Sequence, residues 1–418
     1  MQNQPHYDLL LKGGRVIDPA NNIDGLMDVA ISGAKIAQVG PDIDPKAATT
    51  VADVTGHYVT PGLIDIHVHV YHTREPEGLS VMADFHSFRS GVTTMVDTGT
   101  AGAKHFLHFK RTVIDQAKTR ILAFINIVKS GMVGDFEQDI SEMDPELAAS
   151  IVLAYPEVCV GIKTAHYWTR QPWDALHPPW AAVDRAVAAG DICQKPVMVD
   201  FWPRPERTYQ DLILKKMRPG DIHTHVYAQQ FPILAEQNKP RSTPRVVLPV
   251  GGCRGVQPFL FEARERGIIF DVGHGAGSFW FRQAVPAMQN GFKPDSISTD
   301  LHIGNVNGPV VDMLTTMSKI LNIGLPLPEV IFRSTVTPAR EIGRPELGTL
   351  SVGAEADVAV LKLLEGTFGF SDCGRARMTG QRKLDCALTI RAGQVVYDPT
   401  GFTMPEWPAA PAPYWTIR

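Results

Sequence analysis

From Pro61 onward the chain repeats one texture, in which short runs rich in β-branched and apolar residues alternate with helical stretches. The runs lie at 61–69, 93–98, 121–128, 158–164, 196–201, 221–226, 268–273 and 296–300. Helical stretches include 104–118, 145–154, 179–189, 206–217, 254–266 and 280–290. This alternation predicts a parallel sheet, because a parallel strand can return only by a long crossover. Eight strands over roughly 280 residues fit a (β/α)8 TIM barrel, which typically takes about 250. The runs are mostly continuous apolar stretches, as strands covered on both faces should be. The flanks differ. Tyr7–Lys12, Arg15–Ile17, Asp28–Ser32 and Lys35–Val39 read as strands broken by Gly and Asp/Asn turns, and that texture returns at Gly348–Gly353, Asp357–Leu361, Cys386–Arg391 and Gln394–Tyr397. The expected fold class is therefore α/β. Residues 61–345 form the barrel, and 1–60 with 346–418 form one small β-sandwich domain that ends in a Pro/aromatic tail around Trp407 and Trp415.

Composition narrows the function classes. Of 418 residues, 44% are apolar and 20% charged, enough for an ordinary globular core. A formal charge of -4 gives no support for nucleic-acid or membrane binding, and no run approaches the length of a membrane span. Residues 1–12 lack the apolar run of a signal peptide. Cys159, Cys193, Cys253, Cys373 and Cys386 are scattered, which suits a reducing compartment. A cytoplasmic protein is the expectation. Neither a Gly-x-Ser-x-Gly elbow, a P-loop, nor a Gly-x-Gly-x-x-Gly turn after a strand is found, which disfavours a serine hydrolase or a nucleotide enzyme.

In a barrel of this kind the functional face lies at the C-terminal ends of the strands. Strand one ends in Asp65-Ile66-His67-Val68-His69. Residues two apart on a strand face the same way, so His67 and His69 project together, and two neutral imidazoles suit a metal such as zinc. Lys163 ends strand four, Asp200 strand five, His225 strand six, His274 strand seven and Asp300 strand eight. Scattered core residues would not align at strand ends in this way. Lys163 is the odd member, because an ammonium has no lone pair for a cation. It is either paired with a carboxylate such as Asp200 or Asp300, or converted by carbon dioxide to a carbamate, an anionic ligand that two dications would favour. Asp65 reads as an acceptor behind the histidines or as a buried hydrogen-bonded carboxylate, and His223 as a satisfied core histidine. His302 and His166 lie just past strand ends and are candidate substrate contacts. Trp168 is a third, in an aromatic loop (166–180) that reads equally as a pocket wall or a packed surface loop. Residues 227–253 are long and Pro-rich for a connection, as a lid or rim segment would be.

With these residues the chain resembles the amidohydrolase superfamily. The resemblance rests on Pro-Gly-Leu-Ile-Asp-Ile-His-Val-His (61–69), Gly-Ile-Lys (161–163), His225, Asp300, Gly-Gly-Arg-Val-Ile-Asp-Pro (13–19) and Gly-Thr-Leu-Ser-Val-Gly-Ala-Glu-Ala-Asp-Val-Ala-Val (348–360). Asp97–Gly102, Phe270–Phe279 and Ser296–His302 are similar to the deacetylase-like branch near dihydroorotases and hydantoinases. The resemblance implies a homo-oligomer and two divalent metal ions, usually zinc, bridged by a carbamate on Lys163. It implies that His67 and His69 hold one ion, His225 the second, and that Asp300 contacts the first and shuttles the proton. Two positions depart from the pattern. The branch usually ends strand five with histidine, where this chain has Asp200, and Tyr71 stands where dihydroorotases carry an arginine for the substrate carboxylate.

The implied chemistry is hydrolysis of an amide or ester of a small molecule by a metal-bridging hydroxide, with His274 or a loop donor stabilising the oxyanion. An acyclic N-acyl or O-acyl deacylase is the first expectation. A cyclic amidohydrolase of hydantoinase or lactamase type is the second, and a scaffold that has lost catalysis is the third.

Overall fold

The computed structural model describes residues 6–73, 78–235 and 255–416. Five strands come first: β1 (Tyr7–Asp18), β2 (Ile23–Ser32), β3 (Lys35–Gly40), β4 (Ala48–Asp53) and β5 (Tyr58–Pro61). They do not make a sheet alone. β5 pairs antiparallel with β13 (Val358–Ser371), which pairs with β14 (Arg377–Arg391), and β15 (Gln394–Tyr397) forms the edge. The result is one continuous eight-stranded sheet drawn from both chain ends, in the order β15-β14-β13-β5-β1-β2-β3 with β4 on β1. Alternate residues of these strands bury their own apolar cluster, including Leu9, Leu11, Val29, Ile31, Val358 and Leu388.

The second sheet is parallel throughout. Its strands are β6 (Leu63–Val68), β7 (Val92–Gly102), β8 (Arg120–Asn126), β9 (Cys159–Thr164), β10 (Val197–Val199), β11 (Ile222–His223) and β12 (Ile269–Phe270), adjacent in sequence order. Residues 296–301 reach both edges of this sheet. Ser296 bridges Asp271 after β12, and Leu301 bridges Val68 at the end of β6, both in parallel. The Asp300 amide donates to the His67 carbonyl at 2.6 Å, and the His69 amide to the Leu301 carbonyl at 3.0 Å. Helices return the chain between strands. Pro145–Ala154 starts with Asp144 accepting from the Leu147 amide and proline in its first turn, and Asp312 caps Met313–Ile323 through the Thr315 amide. No helix among the described residues is long and apolar enough to cross a membrane.

Several elements differ from expectation. The run 61–69 is split at Gly62: Pro61 pairs with Val358 in the terminal sheet, while Leu63 opens the parallel one. The runs 221–226 and 268–273 keep two-residue ladders, because the backbone leaves extended geometry where His225 takes φ 64° and Gly273 φ 43°. The helix expected over 104–118 is Phe106–Thr112 followed by a short turn, and 206–217 contains a π-helical turn, Leu212–Lys216. Trp407, Tyr414 and Trp415 of the tail are exposed and pack on one another. Of the connection read as a lid, 236–254 lie outside the described residues, and its ends meet in a Leu234–Val256 bridge.

Candidate metal centre

The ends of β6, β9, β10, β11 and the 296–301 segment converge on a cavity of about 390 Å³. His67, His69, Lys163, Asp200, His225 and Asp300 all line it. His67, His225 and Asp300 each offer a ligand atom within 4.8 Å of the other two. Asp300 Oδ1 lies 3.1 Å from His69 Nε2 and 3.6 Å from His67 Nε2, and its Oδ2 lies 4.0 Å from His225 Nε2. Asp200 Oδ2 lies 3.4 Å from His225 Nε2.

Each imidazole is held from behind. His67 Nδ1 sits 2.8 Å from Thr224 Oγ1, and that hydroxyl donates to Asp271 Oδ2 at 2.8 Å, so the ring proton belongs on Nδ1. His225 Nδ1 donates to the Gly273 carbonyl at 2.5 Å. His69 Nδ1 sits 2.7 Å from Thr100 Oγ1, and Asp97 fixes that turn by accepting from the Thr100 amide. His67, held neutral, keeps its proton on Nδ1 and turns an Nε2 lone pair toward Asp300, whereas Asp200 and Asp300 raise His225, whose Nε2 faces both carboxylates. Two acceptors facing each other repel unless a cation stands between them. Two atoms each about 2.0–2.1 Å from a tetrahedral zinc are about 3.4 Å apart, which matches the observed spacings. The donor set therefore fits a divalent metal.

Electrostatics agree. Burial, reinforced by Lys163, holds His67 well below the usual imidazole range, so it is neutral. Burial alone would raise Asp300, but the facing His69 and His225 outweigh it and keep the carboxyl low. Lys163 is fully buried, and that burial lowers its amine. Among the described residues it makes no ion pair with a carboxylate; its Nζ stands 3.5 Å from His67 Nε2. Gly99 makes room for it: a Cβ there would lie 2.7 Å from Lys163 Cγ, and its φ of 81° suits glycine. Three of the cavity-lining residues, His166, His225 and Asp300, hold positive φ (41°, 64° and 50°), a cost that persists only where surroundings enforce it.

Residues 281–396 match the amidohydrolase family. Over 397 residues the chain is 31% identical to a deacetylase of Enterococcus faecalis, covering 94% of this chain and 99% of that relative. This chain belongs to the amidohydrolase family. It lies in the deacetylase-like branch and is a hydrolytic enzyme acting on carbon–nitrogen bonds. A deacetylase of Brucella anthropi is 30% identical over 359 residues, covering 84% of this chain and 82% of that protein. The amidohydrolase also superposes on a crystal structure described as an adenine deaminase, with TM-score 0.81, 30% identity, and coverage of 94% of this chain and 100% of that one. A dihydroorotase crystal structure follows at TM-score 0.77 and 26% identity, covering 93% and 99%.

Not every expected residue of this amidohydrolase reaches the cavity. His166 and His302 line it; His274 and Trp168 do not. His274 is fully buried behind it, stacked on Phe279, with Nε2 accepting from Lys319 Nζ at 2.7 Å and Nδ1 donating to the Gly275 carbonyl at 2.9 Å. Gly275 (φ 58°) turns the chain here, and a Cβ on it would lie 2.6 Å from Asp300 Oδ2. The turn sends the histidine away from the reacting face, so its expected oxyanion role has no geometry to support it. Trp168 stacks on His177 at 3.4 Å and donates to the Pro172 carbonyl, which makes 166–180 largely a self-packed loop. Asp65 is a buried carboxylate accepting from the Thr299 amide and hydroxyl and from the His67 amide, with burial pushing it up to about 7. His223 is buried as expected, and neither ring nitrogen makes a close hydrogen bond among the described residues. Tyr71 is buried against His108, 2.7 Å from its Nδ1.

Sequence reasoning missed Glu137, Arg170, Trp202 and Thr224. Glu137 Oε2 lies 3.2 Å from His166 Nδ1 and pushes that imidazole up to about 10, with Asp200 adding to the effect. Glu137 comes from a short 3-10 turn and Arg170 from an irregular loop, where no periodicity of strand or α-helix marks a side chain as inward. Thr224 lies between two histidines, and a hydroxyl supporting a ligand leaves no signature of its own.

Proposed function

We propose that this amidohydrolase is a metal-dependent deacylase that cleaves the amide or ester bond of a small N-acyl or O-acyl compound. The observation that carries the reading is the convergence of the Nε2 atoms of His67 and His225 on carboxylate oxygens of Asp300 and Asp200 in one buried cluster. The edge-to-edge bridging of the parallel sheet supports a (β/α)8 barrel over 61–345, and shared sheet membership supports one β domain from 1–60 and 346–418.

His67, His69 and Asp300 would hold one divalent ion, zinc by the chemistry of the donors, and His225 with Asp200 a second. Burial lowers the Lys163 amine and so favours the neutral form that reacts with carbon dioxide, and a carbamate there would supply an anionic oxygen to the centre. Ions held there would supply an activated water and polarise the scissile carbonyl. Asp300 would serve as the base that takes a proton from the attacking water and returns it to the departing nitrogen or oxygen. His302 accepts from the Gly304 amide on Nδ1, at 3.0 Å, so its neutral ring carries a proton on Nε2. That proton makes His302 the donor for developing negative charge, the part first expected of His274. Arg170 and Trp202 offer a cation and an aromatic face to the rest of the substrate.

The test is a panel of N-acetyl amino acids, O-acetyl hydroxy acids, hydantoins and cyclic imides with the zinc-loaded enzyme. Higher kcat/KM on acyclic acyl compounds is expected. Faster turnover of the rings would favour the cyclic-amide reading, which the similarity to a dihydroorotase structure keeps in view. No turnover of any member by fully loaded protein would sink both.

A further inference from the structure

Asp200 follows strand β10 at the position where the deacetylase-like branch usually carries a histidine, and the structure contains another imidazole facing that carboxylate. We infer that His166, on the loop after β9, completes the second metal site in place of the strand-five histidine. The inference rests on the metal centre proposed above and assigns one further ligand to it.

Three observations converge. First, Asp200 Oδ2 lies 3.5 Å from His166 Nε2 and 3.4 Å from His225 Nε2, so one oxygen stands between two imidazole nitrogens at nearly equal range. Each spacing taken alone is close to the edge of about 3.4 Å between neighbouring ligands of a tetrahedral zinc; the three ligand atoms do not all lie within 4.8 Å of one another, so the two rings would close on the ion as it binds. Second, His166 is held from behind as the other rings are. Its Nδ1 donates to Glu137 Oε2 at 3.2 Å, which leaves Nε2 to point at Asp200. Glu137 is buried and its other oxygen has no partner among the described residues, so the histidine is the group this interior carboxylate serves. Third, the loop is clamped in an unfavourable backbone state. His166 has φ 41°, and Gln138 holds both sides of it, donating to the His166 carbonyl at 3.0 Å and accepting from the Trp168 amide at 2.6 Å. Strain of this kind persists where the surroundings fix a side chain's direction.

His166 is also exposed toward the cavity, its side chain 54% accessible, so an arriving ion can reach it. The alternative is a permanent ion pair, with His166 serving only as a cationic link between two loops.

The experiment measures bound zinc per chain, by elemental analysis after loading and gel filtration, in the wild type, His166→Ala, Glu137→Gln and the double variant His166→Ala/Asp200→His. Cobalt-substituted protein is followed in parallel by visible absorption. We expect the wild type to hold two ions and His166→Ala one, with loss of part of the cobalt spectrum. Glu137→Gln should keep both ions but bind the weaker about 10–100-fold less tightly. The double variant, with its imidazole returned to strand five, should recover the second ion. Stoichiometry and affinity in His166→Ala equal to the wild type's overturn the inference and leave the deacylase reading standing. A wild type that holds no ion under any loading condition overturns the metal centre itself.

Discussion

The Nζ of Lys163 stands 3.5 Å from the Nε2 of His67, deep in the protein and without a carboxylate in ion-pair range among the described residues. A permanently charged ammonium would be costly in that position. Lys163→Ala should therefore lose bound metal and reduce turnover about 10²–10³-fold or more. Short carboxylic acids should restore part of both by standing in for the carbamate. Normal metal content without rescue would mean the lysine is an ordinary amine.

Asp300 faces the imidazoles of His67, His69 and His225 with both carboxylate oxygens. Asp300→Asn keeps an oxygen for the metal but removes the basic site. The expected result is metal content near that of the wild type and kcat lower by about 10²–10⁴-fold. A kcat within twofold of the wild type would remove Asp300 from proton transfer.

Thr224 links His67 to Asp271 and so fixes which ring nitrogen carries the proton. Thr224→Val leaves the ring without its acceptor, and metal affinity should fall about 10–100-fold. Thr224→Ser keeps the hydroxyl and should retain the affinity. Competition with a chromogenic chelator measures both.

His223 is buried among Tyr209, Phe231 and Phe270, and burial lowers its pKa from the ordinary 6.5 to about 3. The unfolded chain binds the proton first, so this group costs stability as pH falls from about 6.5 to about 3, with a slope of up to about 1.4 kcal/mol per pH unit. His223→Phe should flatten that acid limb in urea melts recorded between pH 6.5 and 4. An unchanged slope would show that His223 does not titrate in this range on unfolding.

Much of the cavity was legible because strand geometry is simple. His67 and His69 share a face through two-residue spacing, and Lys163, Asp200, His225 and Asp300 terminate recognisable apolar runs. His274 looks equivalent in sequence. Its direction is set by the Gly275 turn and by Lys319, a residue 45 positions away whose buried amine needs an acceptor. Glu137 was invisible for a related reason. It lies in a short 3-10 turn (Gly134–Gln138), where neither period 2 nor period 3.6 applies. The two-sheet layout could be read from changes in texture, but the break at Gly62 could not. Its cause is the pairing of Pro61 with Val358, and nothing local to residues 61–69 records that contact.

That pairing also bears on how the chain matures on the ribosome. The strand leading into the His67 segment acquires its antiparallel neighbour only after residues 358–361 emerge, nearly 300 positions later. At roughly 5–20 residues per second this is a wait of about 15–60 s. Throughout that interval one flank of β5 is open to pairing with another nascent copy, so slowing translation ahead of codon 358 should raise the aggregated fraction of newly made enzyme more than slowing it afterwards.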